Sequence, residues 1–274
     1  MVEPSSFIQN LEPYSITPQD VWSDMATDNI LKLDWNEAPV DFEFYQDELS
    51  RIVHDRGIIA WYPDCLALKL TDEISKYVGI DRNNILTFPG SDVGLECLCR
   101  AYLEPGDKVL ALCPTYENFF VYALQVGASL LKVELEKPFK PDLTIVEENM
   151  NSNGLVKMVY LVSPNNPCGY VLSQNEVEHL ANKFQETIFI IDEAYIEFSD
   201  TKSLSSLVEV FQNIVITRTF SKGFGMADLR LGYICASLDI INVVNKIRNG
   251  KNISMIAQRL GVCALQNINK VQVW

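Results

Sequence analysis

The sequence is poor in the residues that build metal centres and disulfide frameworks. Its 274 residues include only two histidines and seven cysteines, and the cysteines are scattered without any C-x-x-C pair. Zinc sites need closely spaced cysteines and histidines, and disulfide scaffolds need an even, regularly spaced set of cysteines. We therefore expect no metal site, and we expect reduced, mostly buried thiols.

Basic residues are scarce relative to acidic ones. The chain has 22 lysines and arginines against 36 aspartates and glutamates, which gives a net charge of −14. This balance argues against nucleic-acid binding, which needs a basic face. A small anionic ligand remains compatible with it, because backbone N–H groups and one or two cations are enough to bind such a ligand.

Long apolar runs are missing as well. No uninterrupted apolar stretch reaches the roughly 18 residues that a membrane-spanning helix needs. The N-terminal segment MVEPSSFIQNLEPYS has neither the basic region nor the apolar core of a secretory signal. We therefore expect no membrane span and a cytosolic location.

What the chain does have, from about residue 65, is an alternation of strand-like and helix-like segments. Seven short apolar runs predict strands: NILTF, KVLALC, SLLKVEL, VKMVYLVS, TIFIID, NIVITRT and GYICAS. Helical patterns lie between several of them, and Ser91 or Asp92 is the predicted N-cap of one helix, whereas the segment before VKMVYLVS reads as a polar connection. Continuous apolar strands that alternate with helices predict an α/β fold with a mostly parallel, seven-stranded sheet sandwiched by helices.

The pattern divides the chain into three parts. Residues 1–45 are irregular and acidic and predict an N-terminal arm, and residues 46–237 contain the alternating elements of a large domain. Residues 238–274 are helical in pattern. We interpret them as the first helices of a small C-terminal domain that is incomplete because it has no sheet.

Unusual polar residues follow five of the predicted strands. Ligands of open α/β sheets bind outside the carboxyl ends of the strands, so these junctions are the expected site. FPGSDVG offers backbone N–H groups at a helix N-terminus to an anion, PTY offers an aromatic ring, and SPNNPCG offers side-chain amides. IIDEAY ends a buried strand with an acid and a phenol, and TRTFSKGFGMADLR carries one lysine among hydroxyls and an arginine.

Each junction alone is compatible with an ordinary turn, cap or loop. Together they supply an anion cradle, a stacking ring, amide donors, a buried acid, a phenol and an amine. This inventory suits a cofactor with an aldehyde, a phosphate and a pyridine ring. A dehydrogenase is excluded, because the glycines of GFGMADLRLG do not form G-x-G-x-x-G and do not follow the first strand.

The same motifs, with LDWNEAP and WYPD near the N-terminus, occur in the order found in one enzyme family. The chain resembles the fold-type I pyridoxal-phosphate-dependent aminotransferases of classes I and II, and within them the histidinol-phosphate aminotransferases. The resemblance implies a large domain of the pyridoxal-phosphate-dependent transferase type and transamination between an amino acid or amino phosphate and a 2-oxo acid. Cys168 and Val93 depart from the family pattern, which usually has threonine and glutamate there.

The resemblance also implies roles for individual residues. Lys222 resembles the lysine that forms a Schiff base with pyridoxal phosphate and shuttles a proton. Asp192 resembles the acid that keeps the pyridine nitrogen protonated. Asn166 and Tyr195 resemble the donors to the ring oxygen, Asn166 also borders the substrate, and Tyr116 resembles the stacking aromatic.

Further residues match the positions that hold the cofactor phosphate and the substrate. The phosphate ligands implied by the resemblance are the backbone N–H groups of Ser91 and Asp92 and the side chains of Thr219, Ser221 and Arg230. Tyr62 resembles the tyrosine that reaches the phosphate in the neighbouring subunit, which implies a homodimer. Tyr14 resembles an aromatic residue of the substrate pocket.

The family continues into a C-terminal domain that supplies an arginine to the substrate. No arginine follows Arg259 here, so we expect the chain to be the cofactor-binding part of such an enzyme. Two alternatives stay open at this stage. One is a decarboxylase of a phosphorylated amino acid that uses the same cofactor, and the other is a truncated remnant without catalytic activity.

Overall fold

A seven-stranded sheet forms the centre of the protein. The computed structural model describes residues 2–9, 11–12, 32–38, 42–141 and 143–271. The strands are Ile85–Phe88 (β1), Lys108–Cys113 (β2), Ser129–Glu134 (β3), Val156–Val162 (β4), Ile188–Asp192 (β5), Ile214–Thr219 (β6) and Gly232–Ala236 (β7). Their order is β1-β7-β6-β5-β4-β2-β3, and β7 is antiparallel to both of its neighbours whereas the other six strands run parallel. The predicted α/β fold with a mostly parallel sheet is confirmed.

Helices cover both faces of the sheet. They are Ser6–Gln9 (α1), Glu43–Ile52 (α2), Leu68–Val78 (α3), Gly90–Tyr102 (α4), Asn118–Gln125 (α5), Leu143–Ser152 (α6), Gln174–Lys183 (α7), Leu238–Asn245 (α8), Met255–Gln266 (α9) and Ile268–Val271 (α10). Short 3-10 turns occur at Arg82–Asn84, Ile196–Phe198 and Ser205–Glu209. In the described ranges, no helix combines the length and apolar character needed to cross a lipid bilayer.

The strands are buried because both faces of the sheet carry a hydrophobic core. One core joins the sheet to α2, α3, α6, α7 and α9, and the other joins it to α4, α5 and α8. Successive side chains of a strand point to opposite faces, so Phe189 and Ile191 enter the first core and Ile188 and Ile190 the second. This alternation directs Asp192, at the end of β5, toward the second face.

Two local predictions were wrong. The segment read as a polar connection contains α6, in which Leu143, Val146 and Met150 are buried at helical spacing. The helix α4 begins at Gly90, before Ser91, and no side chain caps it. The carboxylate of Asp92 instead contacts other side chains, as described below.

The C-terminal helices pack on the elements that precede them. In α8, Ile240, Ile241 and Val244 are buried in the core that α4 and α5 share. The helix α9 lies against α2 and α3. Gly261 allows this contact to be close, because a Cβ atom there would lie 2.6 Å from Leu231 and 2.8 Å from Leu70. The boundary of a small domain at residue 238 stays a prediction.

A cluster of buried charges lies on the first face of the sheet, behind the predicted site. Nη2 of Arg218 donates hydrogen bonds to Glu197 (2.6 Å) and to the hydroxyl of Tyr77 (3.2 Å), and Nη1 lies 3.8 Å from Glu193. The three charged side chains are at most 5% exposed. Burial raises the pKa of Glu193, and the positive charge of Arg218 opposes this rise. One guanidinium group therefore compensates two buried carboxylates.

We expect Arg218→Met to lower the free energy of unfolding by about 3–5 kcal/mol, because it leaves two carboxylates buried without a cation. The matched control is Arg82→Met, since Arg82 pairs with Asp72 at a site where both side chains are about half exposed. That change should cost at most about 1 kcal/mol. Urea unfolding of both variants measures the difference, and equal losses would contradict the role of Arg218.

Candidate active site

The predicted site residues gather at one edge of the sheet. Ser91, Tyr116 and Asn166 follow β1, β2 and β4, Asp192 ends β5 and Thr219 ends β6. These five strands are parallel, so their carboxyl ends lie on the same side of the sheet. The topology therefore brings together residues that are up to 128 positions apart in the sequence.

Lys222 lies just beyond β6 and is half-buried. Its Nζ atom donates a hydrogen bond to the carbonyl of Trp35 (2.5 Å) and lies 5.9 Å from the ring centroid of Tyr195. The amine therefore points into the space between the loop after β5 and the segment 32–38. Gly223 lets this loop pack closely, because a Cβ atom there would lie 2.5 Å from the Cβ atom of Glu197.

The environment of Lys222 favours its neutral amine. Burial lowers the pKa of the side chain, and the nearby charges of Arg230 and Lys32 lower it further. Asp92 acts in the opposite direction and raises the pKa. The net direction is downward, which makes the amine a better nucleophile and proton acceptor near neutral pH.

Asp192 is a fully enclosed carboxylate. Its Oδ2 atom accepts a hydrogen bond from the hydroxyl of Tyr160 (2.7 Å), and Oδ1 accepts one from the backbone N–H of Ala194 (3.0 Å). Burial raises its pKa to about 6, while both hydrogen bonds lower it. Each carboxylate oxygen has a second lone pair, so the group retains acceptor capacity for a cationic N–H donor.

The hydroxyl of Tyr195 is surrounded by amides. The side chain of Asn36 donates to it at 3.0 Å and that of Asn166 at 3.4 Å. Burial raises the pKa of Tyr195, which keeps the phenol protonated. Because both amides donate to the oxygen, the phenol hydrogen is free to be donated to a ligand.

Backbone and side-chain donors converge at the N-terminus of α4. Ser91 and Asp92 lie in the first turn, where N–H groups have no acceptor within the helix. The guanidinium of Arg230 lies beside this turn, since a Cβ atom on Gly90 would be 2.6 Å from Nη2. Nη1 of Arg230 donates to the hydroxyl of Ser221 at 3.3 Å. The arrangement is suited to an anion.

The side chains of Thr219 and Tyr116 flank this anion site. Oγ1 of Thr219 accepts a hydrogen bond from the backbone N–H of Ser221 at 3.1 Å. The hydroxyl of Tyr116 donates to Oδ1 of Asp92 at 3.0 Å, and Oδ2 of Asp92 lies 3.5 Å from Nη2 of Arg230. The side chain of Asp92 thus links Tyr116 to Arg230. At this anion site, the sequence predicted a role only for the backbone N–H group of Asp92.

A cavity of about 490 Å³ opens next to the amides. Its lining comprises Asn36, Glu37, Pro164, Asn165, Asn166, Pro167, Gly169, Tyr195 and Phe198. The motif LDWNEAP contains Trp35 and Asn36, but its sequence alone predicts no role for either residue. Both residues have left-handed backbone conformations, with φ of 60° and 51°. Such a pair outside glycine is uncommon and often occurs at functional sites, but it cannot be read from sequence.

Two predicted residues are not part of this group. Tyr62 is 79% exposed, its ring faces the ammonium of Lys251 at 4.4 Å, and it lines a different cavity together with Trp61 and Arg259. Tyr14 lies outside the described residues.

Comparison with known proteins identifies relatives along most of the chain. Residues 28–274 match the family model described as aminotransferase class I and II. A dihydroxyacetone phosphate transaminase from Campylobacter jejuni is 37% identical over 262 residues, which cover 95% of this chain and 71% of that protein. A histidinol-phosphate aminotransferase from Christiangramia forsetii is 34% identical, with 97% and 71% covered.

Solved structures share the fold. A histidinol-phosphate aminotransferase from Sinorhizobium meliloti, in complex with pyridoxal-5'-phosphate, superposes with a TM-score of 0.88 at 22% identity, covering 99% of this chain and 73% of that one. An aspartate aminotransferase from Thermotoga maritima gives 0.75 at 27% identity, with 87% and 67% covered. The chain belongs to the class I and II aminotransferase family, the enzymes that its sequence motifs resemble.

Proposed function

We propose that this chain is a pyridoxal-phosphate-dependent aminotransferase whose amino donor or acceptor carries a phosphate group. The observation that supports it best is the convergence of five strand ends on one group of residues. An amine of lowered pKa, a buried carboxylate, a phenol with two amide neighbours and an anion site lie at the same edge of the sheet. Family membership supports the same chemistry.

The donors present fit pyridoxal phosphate. A phosphate would find the free N–H groups of the first turn of α4, the hydroxyl of Ser221 and the guanidinium of Arg230. Gly232 allows β7 to lie close to this first turn of α4, because a Cβ atom there would lie 2.5 Å from the backbone nitrogen of Ser91. A pyridinium would find Asp192, and a ring oxygen would find Tyr195 and Asn166.

When bound, pyridoxal phosphate supplies an aldehyde for amines and a ring that accepts the electron pair released at the substrate's α-carbon. Lys222 would hold the cofactor and move a proton at its Nζ atom, for which its lowered pKa is suited. Asp192 would keep the ring nitrogen protonated, and Tyr195 and Asn166 would donate to the ring oxygen. Tyr116 would cover one face of the ring.

Phosphate in the substrate is supported by the relatives. Dihydroxyacetone phosphate and histidinol phosphate, the compounds in the names of two of them, are both phosphate esters. The relatives are transaminases, which favours transamination over the decarboxylase alternative. A threonine-O-3-phosphate decarboxylase structure from Porphyromonas gingivalis also resembles the chain, with a TM-score of 0.73, but at 21% identity it shows the fold alone.

A homodimer is the assembly that suits the exposed apolar segment around Tyr62. Ile59 is 89% exposed, Trp61 62% and Leu66 62%, so large apolar side chains of one short segment are exposed to solvent. The resemblance of Tyr62 to a tyrosine that reaches the phosphate of the neighbouring subunit supports a second copy on this segment. The cytosolic location expected from the sequence stays a prediction.

The role of Lys222 is tested by covalent labelling. The chain is incubated with pyridoxal phosphate, reduced with borohydride and digested, and the masses of its peptides are measured by mass spectrometry. We expect the added mass on the peptide that contains Lys222, and we expect no stable label there in Lys222→Ala. The matched control is Lys76→Ala, an exposed surface lysine paired with Glu73, which should leave labelling unchanged. Label spread over surface lysines in the unmodified sequence would contradict the assignment.

Substrate class is tested with paired amino donors that differ only in phosphate, such as histidinol phosphate and histidinol, each with a 2-oxo acid. We expect turnover of the phosphorylated donor to exceed that of its partner by at least about tenfold, the effect of one charge-assisted hydrogen bond. The measured product is the new amino acid formed from the oxo acid. The decarboxylase alternative needs a donor with a carboxyl group, so threonine O-3-phosphate is tested beside the pair, and release of carbon dioxide from it without a new amino acid would favour the decarboxylase. Equal rates for the two paired donors would remove the phosphate requirement.

The dimer is tested by light scattering. We expect Ile59→Asp to shift the chain from dimer to monomer, because it places a charge in an apolar contact. Val210→Asp, at an apolar side chain that is 72% exposed outside this segment, is the control and should remain dimeric. A monomeric unmodified chain would contradict the proposed assembly.

A further inference from the structure

Tyr160 is a fully buried tyrosine whose only described hydrogen bond is to the candidate site. It lies on β4, and its hydroxyl donates to Oδ2 of Asp192 at 2.7 Å. The parallel register pairs Val162 with Asp192, so Tyr160 lies two residues back on the same face of the sheet. The tyrosine therefore supports the carboxylate from within the core.

The ring of Tyr160 is held firmly. It stacks on Phe119, with ring centroids 4.0 Å apart and an interplanar angle of 16°, and both side chains are buried. Phe119 lies in the first turn of α5, three residues after Tyr116. Tyr160 therefore connects Asp192 to α5. This helix begins just after Tyr116, whose ring would cover the cofactor.

The hydroxyl of Tyr160 also acts on the charge of Asp192. Burial raises the pKa of this carboxyl to about 6, and the hydrogen bond from Tyr160 lowers it. The other groups that face it are the N–H of Ala194 and the hydroxyl of Thr217, which lower its pKa, and Asp92, which raises it. Tyr195 faces it from the following loop. Loss of the tyrosine hydroxyl would thus raise the pKa of Asp192 further and increase the protonated fraction of this carboxyl near neutral pH.

We propose that Tyr160 is a positioning residue that orients the Asp192 carboxylate and keeps it ionised toward the ring nitrogen of the cofactor. The part that concerns the cofactor rests on the proposed function. The coupling between Tyr160 and Asp192 does not, because it exists within the chain alone. A protonated Asp192 would no longer hold a proton on the ring nitrogen, which would weaken the ring as an electron acceptor.

The first measurement uses the cofactor-free chain. An unfolded aspartate has a pKa of about 3.9, below the native value, so the stability linked to Asp192 is present at low pH and is lost as pH rises through about 6. The difference in unfolding free energy between the unmodified chain and Asp192→Asn, measured across this pH range, isolates the stability linked to Asp192. The same difference between Tyr160→Phe and the double variant Tyr160→Phe/Asp192→Asn gives the contribution of Asp192 without the tyrosine hydroxyl. We expect this contribution to be lost about one pH unit higher than in the unmodified chain.

The second measurement uses the chain loaded with ¹⁵N-labelled pyridoxal phosphate. At neutral pH we expect the nitrogen chemical shift of the ring to be that of a protonated pyridine in the unmodified chain. In Tyr160→Phe it should move toward the unprotonated value. The control is Tyr233→Phe, which removes an equally buried hydroxyl from the other face of the sheet and should change neither readout.

The outcomes separate the two proposals. A pH shift in the cofactor-free chain without any cofactor binding would support the coupling and overturn the proposed function. An unchanged pH profile and an unchanged nitrogen shift in Tyr160→Phe would overturn the role of Tyr160. If Tyr160→Phe does not fold, Phe119→Leu keeps the hydroxyl but loosens the stacked ring, and it should shift both readouts in the same direction by a smaller amount.

Discussion

The burial of one carboxylate, Asp192, is the constraint on which the rest of the site depends. A charged group enclosed at the end of a central strand is costly unless donors surround it. Two hydrogen bonds, from the hydroxyl of Tyr160 and the backbone N–H of Ala194, offset this cost. The remaining lone pairs of the Asp192 carboxylate are left for a ligand. A cationic ring nitrogen is the kind of partner that such a carboxylate binds well.

The alternation of side chains along a strand puts a second charged group directly behind the first. Glu193 follows Asp192 and points to the other face, where Arg218 and Glu197 enclose it. This cluster also packs against the loop of Lys222 through Gly223. Buried ion clusters contribute little net stability when they are complete, but losing one partner is expensive. The cluster therefore holds the loops after β5 and β6 in one arrangement.

Most of the fold was predictable because its signals are local. The seven strands are continuous apolar runs, and ten of the twelve predicted site residues lie at or near strand ends that the parallel topology brings together. The helix α6 was missed although its buried residues have helical spacing, because its polar residues outnumber them. Tyr160 was missed because a tyrosine inside an apolar strand is indistinguishable from an ordinary core residue.

The order of the residues alone therefore established the sheet, its parallel character and the chemical types of group at each strand end. Continuous apolar runs and turn residues follow from short-range sterics and hydrophobicity, which are visible in the sequence. The contacts of Lys222 with Trp35, of Tyr195 with Asn36 and of Tyr160 with Asp192 arose only from packing between distant segments. Burial and neighbouring charges set the pKa values of Lys222, Asp192 and Tyr195. Both effects depend on the three-dimensional arrangement of the domain.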